Sequence, residues 1–356
     1  MLGWRNPFVF GALAGDPEPL LRPSVASSVE TVIEGESIHV NKTTVVKRSA
    51  KNDPRKPQFG TKTRGSEKQE PEMSAGETLV SWVKTIVSSL LIVMVINGLL
   101  IASFVVPTGS MENEVMAGDF LFVNKFIYGG SSPQTIPFFN TPLPYFRLPG
   151  LRDPARGDVI VFIYPGDRDQ SEPVDFQYYL KRCVAVAGDT LSVRNGVVHI
   201  NGVAQPMPAN VKFEPIPVSA EDHLKTFPMN AAFTRDNWGP MRIPKEGDVV
   251  PLNDSTFQMW RIFVLREGHS LERDGEVVLL DGKPATSYTV GRDYVFGMGD
   301  NRNNSEDSRY WGFIPKENVV GTPLMVYWSW DPNLPLSMLG DKLASIRWGR
   351  IFTGVD

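Results

Sequence analysis

Two hydrophobic textures divide the chain. From Thr85 to Val106 the sequence TIVSSLLIVMVINGLLIASFVV runs 22 residues without a charge, and Leu79–Val83 extends it upstream across Lys84. At ~1.5 Å rise per residue this run makes a helix about 33 Å long, enough for the hydrocarbon core of a bilayer. Buried core helices are usually shorter, and the apolar region of a cleavable signal peptide is only about 7–15 residues long and lies at the N-terminus. The pattern therefore predicts one transmembrane helix over residues 78–106, with no second segment able to span.

Beyond that run the texture turns to β, with short stretches of Val, Ile, Phe and Tyr between Gly, Pro, Asn and Asp. Strands are expected at Phe120–Val123, Val159–Tyr164, Tyr179–Val186, Thr190–Arg194, Val197–Ile200, Met259–Leu265, Val277–Leu280, Tyr294–Met298 and Leu324–Tyr327. Asn195-Gly196 and Asp274-Gly275 supply residues that tolerate positive φ and predict two tight hairpins. Residues 1–77 are rich in Pro, Ser and charge with little periodicity, which reads as a flexible tail. Nine Lys and Arg fall between residues 42 and 77, so the positive-inside rule keeps that side cytoplasmic and places everything after Val106 outside.

Composition narrows the chemistry. A chain of 356 residues with 42% hydrophobic content can bury a sizeable core. Its net charge of -4 gives no basic surface of the kind that tracks phosphates, which argues against a nucleic-acid partner. Cys183 is the single cysteine, so no intramolecular disulfide and no zinc-thiolate site can form. The four histidines, His39, His199, His223 and His269, lie far apart without ligand-pair spacing, and no metal or cofactor is expected. Cys183 reads as a small buried residue rather than a reactive thiol.

Three segments carry candidate chemistry. Pro107 disfavours helix in the residue before it, and four extended residue steps from Val106 reach roughly 14 Å, which holds Ser110 close to the membrane surface. Taken alone, a serine in a Pro/Gly turn is ordinary turn chemistry. Lys181 lies in the apolar run FQYYLKRCVAVAGD, where burial would lower its pKa and make it a base, although a strand lysine taken alone is usually exposed. The third segment, GMGDNRNNSEDSRYWGF over residues 297–313, mixes Gly, Asn, Asp, Ser and Arg as a loop wired by its own hydrogen bonds and ion pairs would.

Together these segments resemble the bacterial type I signal peptidases, membrane enzymes that remove signal peptides from exported proteins. PTGSM is similar to the family's nucleophile segment, ARGDVIVFIYP to the strand after it, YYLKRCVAVAGD to its lysine segment and GMGDNRNNSEDSRYWGFIP to its most diagnostic stretch. The resemblance covers about residues 80–202 and 285–330. It implies a mainly β fold: a catalytic domain of antiparallel sheets over 107–202 and 285–356, an inserted β-rich subdomain over 203–284, and one N-terminal transmembrane anchor. It implies Ser110 as nucleophile, Lys181 as general base, the Ser110 N–H and Thr108 hydroxyl as oxyanion-hole donors, and Ser305 as the hydroxyl that orients the lysine. Asp300, Arg302, Asp307 and Arg309 match the supporting network. The implied substrate is a membrane-inserted signal peptide, with small side chains at -1 and -3, cut at the outer face of a bacterial cytoplasmic membrane.

One departure stands out. The family usually follows Ser-Met with x-Pro-Thr, whereas Glu112, Asn113 and Glu114 stand here. Carboxylates beside the amine would hold Lys181 charged, so both glutamates are expected to face solvent. Trp328, Trp330, Phe138, Phe139, Tyr145 and Phe146 fit either the core or the membrane interface. Two rival readings remain open: a catalytically silent, membrane-tethered β-domain and a regulatory Ser–Lys protease.

Overall fold

The computed structural model describes residues 74–132, 146–219 and 221–356. The expected tail lies outside the described residues up to 73, as do Phe138, Phe139 and Tyr145. The chain divides into two compact units, Ala14–Val83 and the remainder, and of the first only residues 74–83 are described, as the opening of a helix.

That helix, α1, spans Ala75–Val95. Ser74 and Glu77 open it with a reciprocal cap, in which Glu77 N–H donates to Ser74 Oγ (3.3 Å) and Ser74 N–H donates to Glu77 Oε2 (2.9 Å). One wider, π-helical turn over Ile96–Leu100 continues it. The 25 residues Gly76–Leu100 are long and apolar enough to cross a membrane, about 37 Å at helical rise.

The helix stops short of the expected boundary at Val106. Ile101–Val105 form a strand, β1, that pairs antiparallel with Asp119–Asn124, β2. An unbroken apolar run carries no period that separates its helical part from its extended part. The partner strand decides, together with the π turn that releases the helix at Leu100, where Lys125 N–H caps the Leu100 carbonyl (2.8 Å). Ser110 therefore lies ten residues beyond the helix, reached through a strand.

The remaining strands are β3 Val159–Ile163, β4 Tyr178–Val186, β5 Thr190–Arg194, β6 Val197–Ile200, β7 Val203–Ala204 and β8 Trp238–Arg242. They continue with β9 Val249–Pro251, β10 Leu271–Asp274, β11 Val277–Leu280, β12 Lys283–Pro284 and β13 Ser287–Thr289. The last are β14 Tyr294–Met298, β15 Ile314–Pro315 and β16 Val319–Ser329. A seven-stranded antiparallel sheet takes the order β1-β2-β16-β3-β4-β14-β15, so the mainly β, antiparallel expectation holds. The Asn195-Gly196 hairpin joins β5 to β6 with φ of 49° and 79°, as its turn chemistry requires.

Met259–Leu265, expected as a strand, lies in helix α2, Asp254–Arg266. Its apolar run fits a buried strand or a helix equally well, and the N-terminus decides. Asn253 Oδ1 accepts from Thr256 N–H (3.1 Å) while Thr256 Oγ1 accepts from Asn253 N–H (3.0 Å), a capping box that starts the helix. Phe257, Trp260, Phe263 and Val264 then share its buried face.

The segment 203–284 is woven into the chain around it. Its β8 pairs with β5, and Trp238, Trp260 and Phe263 pack in one core with Ala185, Leu191, Phe296 and Phe313. A second core of Val106, Met111, Val115, Leu121, Val123, Val159, Val161 and Val326 lies beneath the turn that carries Ser110.

Candidate active site

Ser110 follows β1 in a tight turn over residues 109–115. Met111 anchors the turn, being 1% exposed in the core below it, and its Sδ accepts from the Asp300 N–H (3.3 Å). The Ser110 carbonyl accepts from Asn301 N–H (3.1 Å), and Asn301 Nδ2 donates to the Gly109 carbonyl (3.1 Å). The turn and the loop after β14 are thus bound backbone to backbone. Among the described residues the Ser110 N–H itself is committed to no protein acceptor.

Lys181 stands in the middle of β4, opposite Ile160 of β3. On its other side β14 shifts register between Phe296 and Gly297. A Cβ on Gly297 would lie 3.0 Å from the lysine Cβ, so the glycine leaves the room that the lysine stem occupies. Lys181 is 4% exposed, and its Nζ lies 2.8 Å from Ser110 Oγ. Burial lowers its pKa to about 8, against the opposing pull of the Asp307 and Glu306 carboxylates. The Ser110 side is partly open, and Thr108 Oγ1 lies 3.5 Å from Ser110 Oγ.

The loop after β14 supplies most of the expected support. Asp307 caps the short helix α3, Ser308–Trp311, and pairs bidentately with Arg309 at 2.8 and 2.7 Å, both side chains being almost fully buried. Burial opposes ionisation of Asp307, yet the Arg309 guanidinium and the Gly299 N–H hold its carboxyl below the usual carboxylate range. Asp300 is fully buried and accepts from the Arg182 Nε and Nη2 at 2.7–3.2 Å.

Two expected residues sit differently. Ser305 Oγ is buried but has no hydrogen-bond partner among the described residues, so it makes no hydrogen bond to the lysine amine. Arg302 makes no ion pair among the described residues; its Nε has no partner, and burial together with the Arg309 charge lowers its pKa to about 10. It joins the network through its backbone, donating to the Lys212 carbonyl (2.9 Å).

Sequence reasoning missed Arg182. Neighbours on a strand point to opposite faces, so Lys181 meets the serine while Arg182 meets Asp300. The Lys-Arg pair within one apolar strand was the available signal. The solvent-facing expectation fails for Glu114, which is 7% exposed and lies 3.7 Å from Arg182. Glu112 is partly exposed and pairs with Lys212 (3.3 Å). Cys183 is buried as expected, with its thiol pushed up to about 12, so it is inert. No cluster of His, Cys, Asp or Glu among the described residues can hold a metal ion.

Residues 79–328 match the family described as signal peptidase, peptidase S26. The chain belongs to this family. The signal peptidase I of Helicobacter pylori is 30% identical over 287 residues, which cover 77% of this chain and 91% of that one. The enzyme of the same name from Pseudomonas aeruginosa is 30% identical over 276 residues, covering 72% and 76%. A crystal structure of a signal peptidase I from Enterococcus faecalis V583 aligns with 48% of this chain and 97% of its own at 22% identity and a TM-score of 0.23, a likeness too weak to argue from. The match to the S26 family encloses Thr108, Ser110, Lys181 and the whole loop from Gly297 to Gly312. Membership makes the protein a serine peptidase of the signal peptidase I type.

Proposed function

We propose that the protein cleaves signal peptides from exported preproteins at the outer face of a bacterial cytoplasmic membrane, with Ser110 as nucleophile and Lys181 as general base. The observation that carries this reading is the 2.8 Å contact between Ser110 Oγ and a buried amine whose pKa is lowered to about 8. A free lysine near pKa 10.4 is neutral in ~0.04% of molecules at pH 7, whereas a value near 8 makes roughly a tenth of them neutral.

Neutral Lys181 accepts the Ser110 proton as Oγ attacks the scissile carbonyl carbon. The Ser110 N–H and the Thr108 hydroxyl receive the developing oxyanion. The lysine ammonium returns its proton to the leaving amine, and a water, losing its proton to Lys181, then hydrolyses the acyl-enzyme. These steps need no metal or cofactor. The Asp300–Arg182 and Asp307–Arg309 pairs hold the loop rather than transfer protons. The substrate lies extended, with small side chains at -1 and -3. The lysine- and arginine-rich segment before α1 stays in the cytoplasm, and the β domain works outside on substrates that share its bilayer.

Purified full-length protein should cut a preprotein at an A-x-A site, and Ser110→Ala and Lys181→Ala should each lose roughly 10³-fold or more in rate. Normal cleavage by either variant would remove that residue from the mechanism.

A further inference from the structure

Glu114 follows Ser110 by four positions and is the most heavily tied residue of the nucleophile turn. Its Oε1 accepts from the Asp356 N–H (2.8 Å) and its Oε2 from Asn210 Nδ2 (2.5 Å), with Arg182 Nη2 at 3.7 Å. Its carbonyl accepts from Arg350 Nη2 (3.0 Å). These partners come from three separate stretches of chain: the strand of Lys181, the segment after β7, and residues 350–356.

The neighbouring carboxylate is tied as well. Glu112 Oε2 accepts from Asn301 Nδ2 (3.0 Å) and Lys212 Nζ (3.3 Å). Lys212 in turn pairs its backbone with the active-site loop, donating to the Asp300 carbonyl (2.8 Å) and accepting from Arg302 N–H (2.9 Å). Between the glutamates Asn113 takes φ of 83°, a left-handed conformation that asparagine tolerates and proline cannot adopt.

We propose that Glu114 is a positioning residue for the reaction: its buried carboxylate fixes the nucleophile turn against the strand of Lys181 and keeps Ser110 Oγ within reach of the amine. The proposal rests on the Ser110–Lys181 reading above. Glu114 acts through place rather than field, because the charges that weigh most on the lysine amine are Asp307, Glu306, Arg309 and Asp300. Arg182 is already gripped by Asp300, so it is a fixed post for the turn. Without the carboxylate, the Asn210 amide and the Asp356 N–H lose their acceptor and the turn loses its tie to that post. A displacement of about 1 Å at a reacting atom costs on the order of 10²-fold in rate.

The test compares Glu114→Ala and Glu114→Gln with wild type in the full-length chain, measuring kcat, KM and the pH profile on a preprotein and normalising to the folded fraction. Glu114→Ala should lower kcat by about 10- to 100-fold with KM within about twofold and the rising limb of the pH profile unmoved. Glutamine keeps one acceptor oxygen of the same reach for the Asp356 N–H, and the Asn210 amide can flip to accept from the glutamine NH2, so this variant should recover most of the loss. An unchanged kcat in Glu114→Ala, a loss matched by the unfolded fraction, a displaced pH limb, or glutamine as damaging as alanine would each overturn the proposal. Should Glu114→Ala fail to fold, Asn210→Ala removes one tie to the same carboxylate and must also lower kcat without raising KM. Ser110→Ala run in parallel separates the two claims. Activity that persists there defeats the nucleophile assignment, whereas an inactive Ser110→Ala beside a fully active Glu114→Ala defeats the positioning role alone.

Discussion

In the proposed mechanism Lys181 bears the conflict between stability and chemistry within a single side chain. Its folded pKa, about 8, lies below the ordinary lysine value of 10.5, so the unfolded chain binds the proton more tightly. Stability from this group therefore rises with pH between about 8 and 10.5, and below 8 the burial penalty stands in full at about 3 kcal/mol. Lys181→Met removes the penalty. Urea unfolding should find that variant more stable than wild type at pH 7, by up to about 3 kcal/mol, with the gain fading by about pH 10.5. A variant that is less stable at pH 7 would mean that burial does not lower the pKa of the amine. Ser110, Lys181 and the Asp307–Arg309 pair were legible in the sequence because motif and residue type coincide there. Arg182 was not, since its role depends on which face of β4 it occupies, and Glu114 was misread because its three anchors lie 68 to 242 residues away in the chain.

At the scale of elements, the site is a joint between the turn after β1, the middle of β4 and the loop after β14. Close approach of backbone makes that joint. A Cβ on Gly299 would lie 2.1 Å from Ser305 Oγ and 2.5 Å from the Ser110 carbonyl oxygen, so no other residue fits without moving the nucleophile turn. Gly299→Ala should abolish most cleavage, with a kcat loss on the order of 10²-fold, while circular dichroism shows the β fold retained. Activity near wild type would mean that the turn tolerates displacement. Strands with clear flanks, such as β5, β6, β11 and β14, were readable from pattern. Two apolar runs were not: Met259–Leu265 became helix through the Asn253–Thr256 cap, and Ile101–Val105 became strand through pairing with β2. Hydrophobicity marks burial in both cases, and capping or a partner strand chooses the form.

In the whole molecule the apolar helix and the catalytic joint are consecutive in the chain. α1 and its π turn run into β1, β1 delivers Ser110, and β1 pairs through β2 and β16 into the sheet that carries Lys181. The apolar helix and the turn of Ser110 thus share one continuous stretch of backbone, which suits the proposed cleavage of substrates that are themselves held in the bilayer. The central claim is that a buried, neutral Lys181 activates Ser110. The most direct measurement is the pH dependence of single-turnover preprotein cleavage by the full-length protein reconstituted in lipid vesicles. The rate should rise with pH on a single ionisation near 8, as the amine loses its proton, and Lys181→Ala should erase that limb together with the activity. A limb centred near 6.5, as a histidine base would give, or a limb that survives in Lys181→Ala, would contradict it.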